Sequence, residues 1–382
     1  MPLTDQLDRL ARFEPVPYPV VSLYLNTQPN DRGRDQFQSF VRQEFKSRSQ
    51  TYPQGSPDRD SLDKDMERIA AYLEGELQAS ANGVAIFACD AAGLFETVQL
   101  NAPIEQHWLY IGDTPHLYPL ARLESRYPRY AAVVTDTNSA RIMVFATGEL
   151  ESQNEVKSDK TRRTSQGGWS QARFQRSNAN MHQQHVKEVV EALDRIVTQE
   201  GIDQILTVGD EVVLPLLRAE MPKHLSDKVV DHLKIDSKAP VDEILAASVE
   251  AMERLNQQTD KDKVEAAIGG HRGGNLGVVG PEATLDALIK GQVDELLLSA
   301  DMDSMKKISP RAAAMANDST LMDPAVETAA GGEAAQADPQ VVRLADEFVT
   351  RAKSTSAKVT IIEDPTLLQP HGGVAALLRF RL

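Results

Sequence analysis

A chain of 382 residues with 41% hydrophobic content carries enough apolar side chain for two or three domains with ordinary cores. Its 56 acidic residues against 41 basic ones give a formal net charge of -15, which argues against a nonspecific nucleic-acid coat but allows docking through one basic surface. The single cysteine, Cys89, excludes a disulfide framework and a cysteine-based zinc site, and the chain has neither a secretion-signal pattern at its start nor an apolar run long enough to span a membrane, so a cytoplasmic protein is expected.

From the start of the chain, Val20-Val-Ser-Leu-Tyr-Leu25 reads as a buried strand after a proline-rich entry at Pro15, Pro17 and Pro19. Phe37, Phe40, Val41 and Phe45 mark a helix, and Leu62, Met66, Ile69, Leu73 and Leu77 trace a second helical stripe. Gly83 to Ala88 and Phe95 to Leu100 read as strands joined by the Asp90 to Gly93 turn. This alternation predicts an N-terminal α/β domain over 1–127.

Past Pro128, Tyr130 to Asp136 and Arg141 to Phe145 read as two strands around an Asp-Thr-Asn-Ser turn. Asp136 is expected in that turn rather than as a metal carboxylate, because no cluster of acids accompanies it. A basic, glycine-interrupted stretch then runs from Lys157 to Arg176, with Lys160, Arg162, Arg163, Arg173 and Arg176 against the single acid Asp159. In so acidic a chain, that local density points to a polyanion. Val186, Val189, Val190, Leu193 and Ile196 follow at helical spacing and predict a long amphipathic helix anchoring the stretch to a core. His182 and His185 on that helix lack a third ligand of fixed spacing, so no metal site is expected. Ile202 to Val208, a helix over Glu211 to Glu220, a strand near Val229 to Leu233 and a helix from Val241 to Asn256 complete a middle domain over 128–262, with a largely parallel sheet expected.

Gly269-Gly-His-Arg-Gly-Gly-Asn-Leu-Gly277 lacks the Lys-Ser/Thr ending of a phosphate-cradling loop and reads as the entry to a third domain over 263–382. There Gly277 to Leu288, Gly291 to Leu298, Ala357 to Asp364 and Gly372 to Phe380 supply strands and a helix, while Asp318 to Gln340 reads as an acidic insertion.

These last four segments, together with Gly167-Gly-Trp-Ser-Gln-Ala-Arg-Phe174 ahead of the long helix, resemble the archaeo-eukaryotic release factor and Pelota superfamily. The resemblance implies a three-domain α/β architecture: an α/β N-terminal domain, a ribonuclease-H-like middle domain and a ribosomal-protein-like C-terminal domain. In the release factors a Gly-Gly-Gln tripeptide promotes hydrolysis of the peptidyl-tRNA ester; here Trp169 stands in the Gln position and the nearest amide is Gln171, two residues on. The stop-codon motifs are also missing. No Asn-Ile-Lys-Ser loop occurs, and the place similar to the Tyr-x-Cys-x-x-x-Phe motif reads Leu109 to Leu117, with Gly112 where cysteine is expected.

The resemblance therefore implies a Pelota-like or Balon-like bacterial member, a ribosome hibernation or rescue factor that occupies the A site without decoding. Its expected contacts are ribosomal RNA and P-site tRNA, met by Lys160, Arg162, Arg163, Gly167, Gly168, Trp169, Ser170, Arg173 and Arg176, with a translation GTPase of the elongation-factor-Tu type as a further partner and no cofactor. Two other readings stay open: a peptidyl-tRNA hydrolase acting through Gln171, and an unrelated α/β protein whose loop binds another phosphate ligand.

Overall fold

A computed structural model describes residues 3–29, 37–137, 139–157, 171–209, 213–305 and 339–381. The chain divides into two compact units, residues 1–126 together with 257–382, and residues 127–256. Each of the three stretches expected as a domain carries its own sheet, but the first and last of them make one unit.

The first sheet has the order β3-β2-β1-β4, from β1 (Val20–Asn26), β2 (Gly83–Cys89), β3 (Leu94–Leu100) and β4 (Trp108–Gly112), with every pairing antiparallel. Strand β1 is apolar without alternation because both of its faces are covered. Val21, Leu23 and Leu25 meet helices α2 (Phe37–Ser49) and α3 (Pro57–Gly75) through Phe40, Val41, Leu62 and Ile69. Helix α3 starts where Ser56 Oγ accepts the Arg59 amide at 3.2 Å, with Pro57 pre-set for the first turn.

The opposite face, with Tyr24, Ala85, Phe87, Val98 and Leu100, is covered by three helices outside the expected elements: α1 (Leu3–Leu10), α4 (Tyr118–Arg126) and a C-terminal helix, Pro339–Ser354. Leu7, Leu10, Leu120 and Ala121 from the start of the chain share one core with Leu344, Phe348 and Val349 of that C-terminal helix. The second sheet of this unit, ordered β10-β13-β11-β12, comprises β10 (Gly277–Val279), β11 (Val293–Ser299), β12 (Lys358–Ile362) and β13 (Val374–Leu378). Only the β11–β12 pair is parallel. The acidic insertion expected over Asp318 to Gln340 lies almost wholly outside the described residues.

The middle unit holds a five-stranded sheet of order β7-β6-β5-β8-β9, built from β5 (Tyr130–Thr135), β6 (Ser139–Ala146), β7 (Glu149–Lys157), β8 (Ile205–Gly209) and β9 (Val229–Leu233). It is mixed rather than largely parallel: β5, β8 and β9 run parallel, whereas β5, β6 and β7 form an antiparallel meander. Helices α5 (Gln171–Gln199), α6 (Val213–Glu220) and α7 (Lys223–Ser226) cover one face, and α8 (Val241–Arg272) covers the other with Ile244, Ala251 and Met252.

Helix α8 does not end at Asn256 but continues through Gly269 and Gly270. Gly277, at the start of β10, passes so close to it that an added Cβ would sit 2.3 Å from the Ala267 carbonyl oxygen. The glycine-rich segment thus serves a close crossing of helix and strand, not a phosphate cradle. Helix α9 (Pro281–Ile289) follows, and the C-terminal helix Pro339–Ser354 is hereafter α10.

Candidate nucleic-acid interface

The basic stretch lies in sequence between Lys157, the last residue of β7, and the first turns of α5, which begins at Gln171. Strand β7 is the outer strand of its sheet and reads Glu-Leu-Glu-Ser-Gln-Asn-Glu-Val-Lys, largely solvent-facing, which is why no apolar alternation announces it. Its pairing with β6 brings Lys157 opposite Ser139 and shifts register between Val144 and Phe145.

The apolar contacts described for helix α5 lie in its second half. Val186, Val189, Val190, Leu193, Ile196 and Val197 pack on Ala131, Val133, Ile142 and Val144 of the sheet, with Val213 and Leu217 of α6 beside them. Gln171 begins the helix 15 residues ahead of Val186, roughly 22 Å along the axis at the α-helical rise. Gln183 donates to Glu220 at 2.9 Å, and His224 Nε2 lies 2.8 Å from Asp194, bracing α5 against α6 and α7.

One arginine ties together the two elements that bear the stretch. Arg129 Nε donates to Glu151 of β7 at 2.7 Å, and its Nη1 and Nη2 reach the carbonyl and carboxylate of Glu200, directly after α5, at 2.6 and 2.5 Å. Nothing but its place beside Pro128 marks Arg129 in the sequence. At the upstream edge, Lys157 Nζ meets Glu155 at 2.5 Å, and this contact holds the Glu155 carboxyl below its ordinary range.

Of the expected contact residues, Lys160, Arg162, Arg163, Gly167, Gly168, Trp169 and Ser170 lie outside the described residues. Gln171, Arg173 and Arg176 fall in the first two turns of α5, and their side chains lie outside the description as well. Asp136 occupies its turn: its carboxylate accepts the Ser139 amide at 2.7 Å and faces the Ser139 hydroxyl at 3.1 Å. His185 turns into the core beside Val186 while His182 is half-buried, so the two are not presented together. Among the described residues no group of three or more His, Cys, Asp or Glu is arranged to hold a metal ion.

The segment similar to the codon-reading motif is interior. Leu109, Tyr110 and Ile111 are buried in β4, and an added Cβ on Gly112 would lie 2.6 Å from the Tyr110 ring. His116, fully buried, packs against Trp108 and Tyr110. Burial and the nearby Asp346 charge push the Tyr110 phenol well above its ordinary range.

Residues 115–253 match the sequence model of bacterial archaeo-eukaryotic release factor family 10. The chain is 22% identical over 305 residues to peptide chain release factor subunit 1 of Methanobrevibacter smithii, spanning 73% of this chain and 72% of that protein. Among solved structures it is similar to Pelota of Archaeoglobus fulgidus, at 13% identity over 80% of this chain and 82% of that one with a TM-score of 0.31. It is also similar to a chain in a model of ribosome-bound archaeal Pelota and ABCE1, at 14% identity over 99% and 94% with a TM-score of 0.39. Among the described residues no helix is long and apolar enough to cross a membrane.

Proposed function

We propose that this release-factor-like protein binds the ribosome and occupies the A site without reading a stop codon, as a hibernation or rescue factor. The observation that carries the non-decoding part is the interior position of Leu109 to Ile111: reading a codon requires side chains presented to base edges, and these are packed into β4. Support for the docking mode comes from the support of the basic stretch. A helix packed on its sheet through Val186 to Val197 carries its first turn roughly 22 Å away from that packing, a reach suited to a confined RNA surface such as the peptidyl-transferase centre. Lys160, Arg162, Arg163, Arg173 and Arg176 neutralise phosphates there, and Trp169 stacks on an exposed base, with Gly167, Gly168 and Ser170 permitting close approach. A translation GTPase of the elongation-factor-Tu type delivers the protein.

In this reading peptidyl-tRNA is not hydrolysed, because Trp169 stands in the sequence position of the release factors' Gln and Gln171 belongs to the first turn of α5. The test measures release of a labelled peptide from stalled ribosomes by the wild type and by Gln171→Ala, alongside cosedimentation with ribosomes. Binding without release is expected. Release by the wild type that falls on the order of a hundredfold or more in Gln171→Ala, the usual cost of losing such a donor, makes Gln171 catalytic and the protein a hydrolase.

A further inference from the structure

The three large apolar side chains that stand most exposed among the described residues are Leu276, Ile289 and Phe380, at 47%, 50% and 45% of their full accessibility. They converge on one end of the C-terminal sheet. Strand β13 runs antiparallel to both β10 and β11, so its end meets the beginnings of the other two. The Leu378 amide donates to the Leu276 carbonyl at 3.1 Å, the Arg379 amide to Gln292 at 2.8 Å, and Gln292 Nε2 to the Phe380 carbonyl at 3.3 Å. Ile289 ends α9, three residues before Gln292.

The rim of this apolar cluster is basic, in a chain whose net charge is -15. Arg272, Lys290 and Arg381 are exposed there. Arg381 reaches back to the Asn275 carbonyl at 3.3 Å, which keeps its guanidinium over the turn that carries Leu276. Asp294, an acid at this end, is met by Arg379 at 3.3 Å, and Arg379 also braces the Ser356 carbonyl at 2.6 Å. Arg272, Lys290 and Arg381 thus add exposed positive charge around the cluster.

We infer that this end of the C-terminal sheet docks an acidic segment of another protein, one carrying a few large aliphatic or aromatic side chains flanked by Asp or Glu. Exposed apolar patches ringed by charge mark interaction sites. The aliphatic surfaces of Leu276 and Ile289 find no counterpart on a phosphate backbone, which favours a protein over RNA, and the basic rim selects the sign of the partner. The site is independent of the basic stretch at Lys157 to Arg176 and of the A-site reading.

The test uses the full chain and three fluorescent probes: a synthetic amphipathic peptide with Leu and Phe at helical spacing and Glu elsewhere, its Lys counterpart, and single-stranded oligouridylate. Anisotropy titration is expected to show the Glu peptide bound about tenfold or more tightly than the Lys peptide. Leu276→Ser with Ile289→Ser and Phe380→Ser should weaken it by about tenfold or more. Replacing Arg272, Lys290 and Arg381 by Glu should invert the preference between the two peptides, and this second variant leaves the apolar cluster intact. Equal binding of the two peptides, or no binding of the Glu peptide, overturns the inference. So does oligouridylate binding that is lost in the charge-reversed variant, which would make this an RNA surface. Concentration-dependent self-association of the free chain that the triple Ser variant abolishes would instead assign the patch to a second copy.

Discussion

His116 Nδ1 lies 2.5 Å from the carboxylate of Asp346, across 230 residues of chain. The same carboxylate accepts the amides of Leu117 at 2.9 Å and Tyr118 at 3.0 Å, so a side chain of α10 caps the N-terminus of α4. Around it, Tyr118 Oη donates to the Ser299 carbonyl at 2.8 Å, and Arg122 grips Glu363 with two nitrogens, at 3.0 and 2.8 Å. Lys353 reaches Glu124 at 2.8 Å. A polar seam therefore registers the first and last segments of the chain on a shared apolar core.

Removing the centre of that seam should be costly. Asp346→Ala strands the His116 ring nitrogen and two buried amides, and the loss is expected at about 3 kcal/mol, the upper range for breaking a buried network. Trp108, whose ring lies 5.5 Å from His116, reports it by fluorescence in a Trp169→Phe background. A urea midpoint unchanged by Asp346→Ala would show that the core alone holds the two segments together.

The crossing of α8 and β10 makes an equally sharp prediction. In Gly277→Ala the new methyl would meet the backbone oxygen of Ala267 at 2.3 Å, and neither strand nor helix has a flexible end to yield. A loss of about 3 kcal/mol is expected in chemical denaturation. Gly291→Ala, where nothing lies within 4 Å but φ is +64°, should cost only the backbone strain, about 1 kcal/mol.

Asp65 gives the stability a pH dependence of definite sign. Burial raises its carboxyl to about 7, against the countering hydrogen bond from the Asp90 amide at 3.1 Å. The unfolded chain releases this proton near pH 4, by the ordinary aspartate value of about 3.9. Between roughly pH 4 and 7 the folded state holds more protons, so the Asp65 contribution to stability falls as pH rises through that window. Asp65→Asn keeps an oxygen for the Asp90 amide. Its urea midpoint should exceed that of the wild type at pH 8, with the difference shrinking towards pH 4; a gap that does not vary with pH would refute the assignment.

If the basic stretch docks on RNA phosphates, replacing Arg162, Arg163, Arg173 and Arg176 by Ala should weaken ribosome binding and flatten its salt dependence. Each lost phosphate contact is expected to reduce the log-log slope by roughly 0.7 to 0.9. Cosedimentation across a salt series measures both quantities. Affinity equal to the wild type at every salt concentration would exclude the stretch from the interface.

Much of this fold is legible in the sequence, and the physical reason is burial on two sides. Strands such as β1 and β2 are predominantly apolar runs, and the stripe Leu62, Met66, Ile69 of α3 keeps the helical period because one face is covered throughout. The charge contrast between Lys157 to Arg176 and the rest of the chain is likewise a property of composition alone. Other features were decided only by tertiary contact. Helices α1 and α4 are short, and their few apolar residues signal little until α10 supplies the facing surface. Strand β7 needs no apolar alternation because it closes the sheet at its solvent edge. Two adjacent glycines would ordinarily end a helix, yet α8 runs through Gly269 and Gly270, since an added Cβ on Gly270 would sit 2.9 Å from the Gly277 amide. The Asp346 cap of α4 joins residues more than two hundred positions apart, and only the packed chain brings such groups within hydrogen-bond reach, where burial makes each polar partner obligatory.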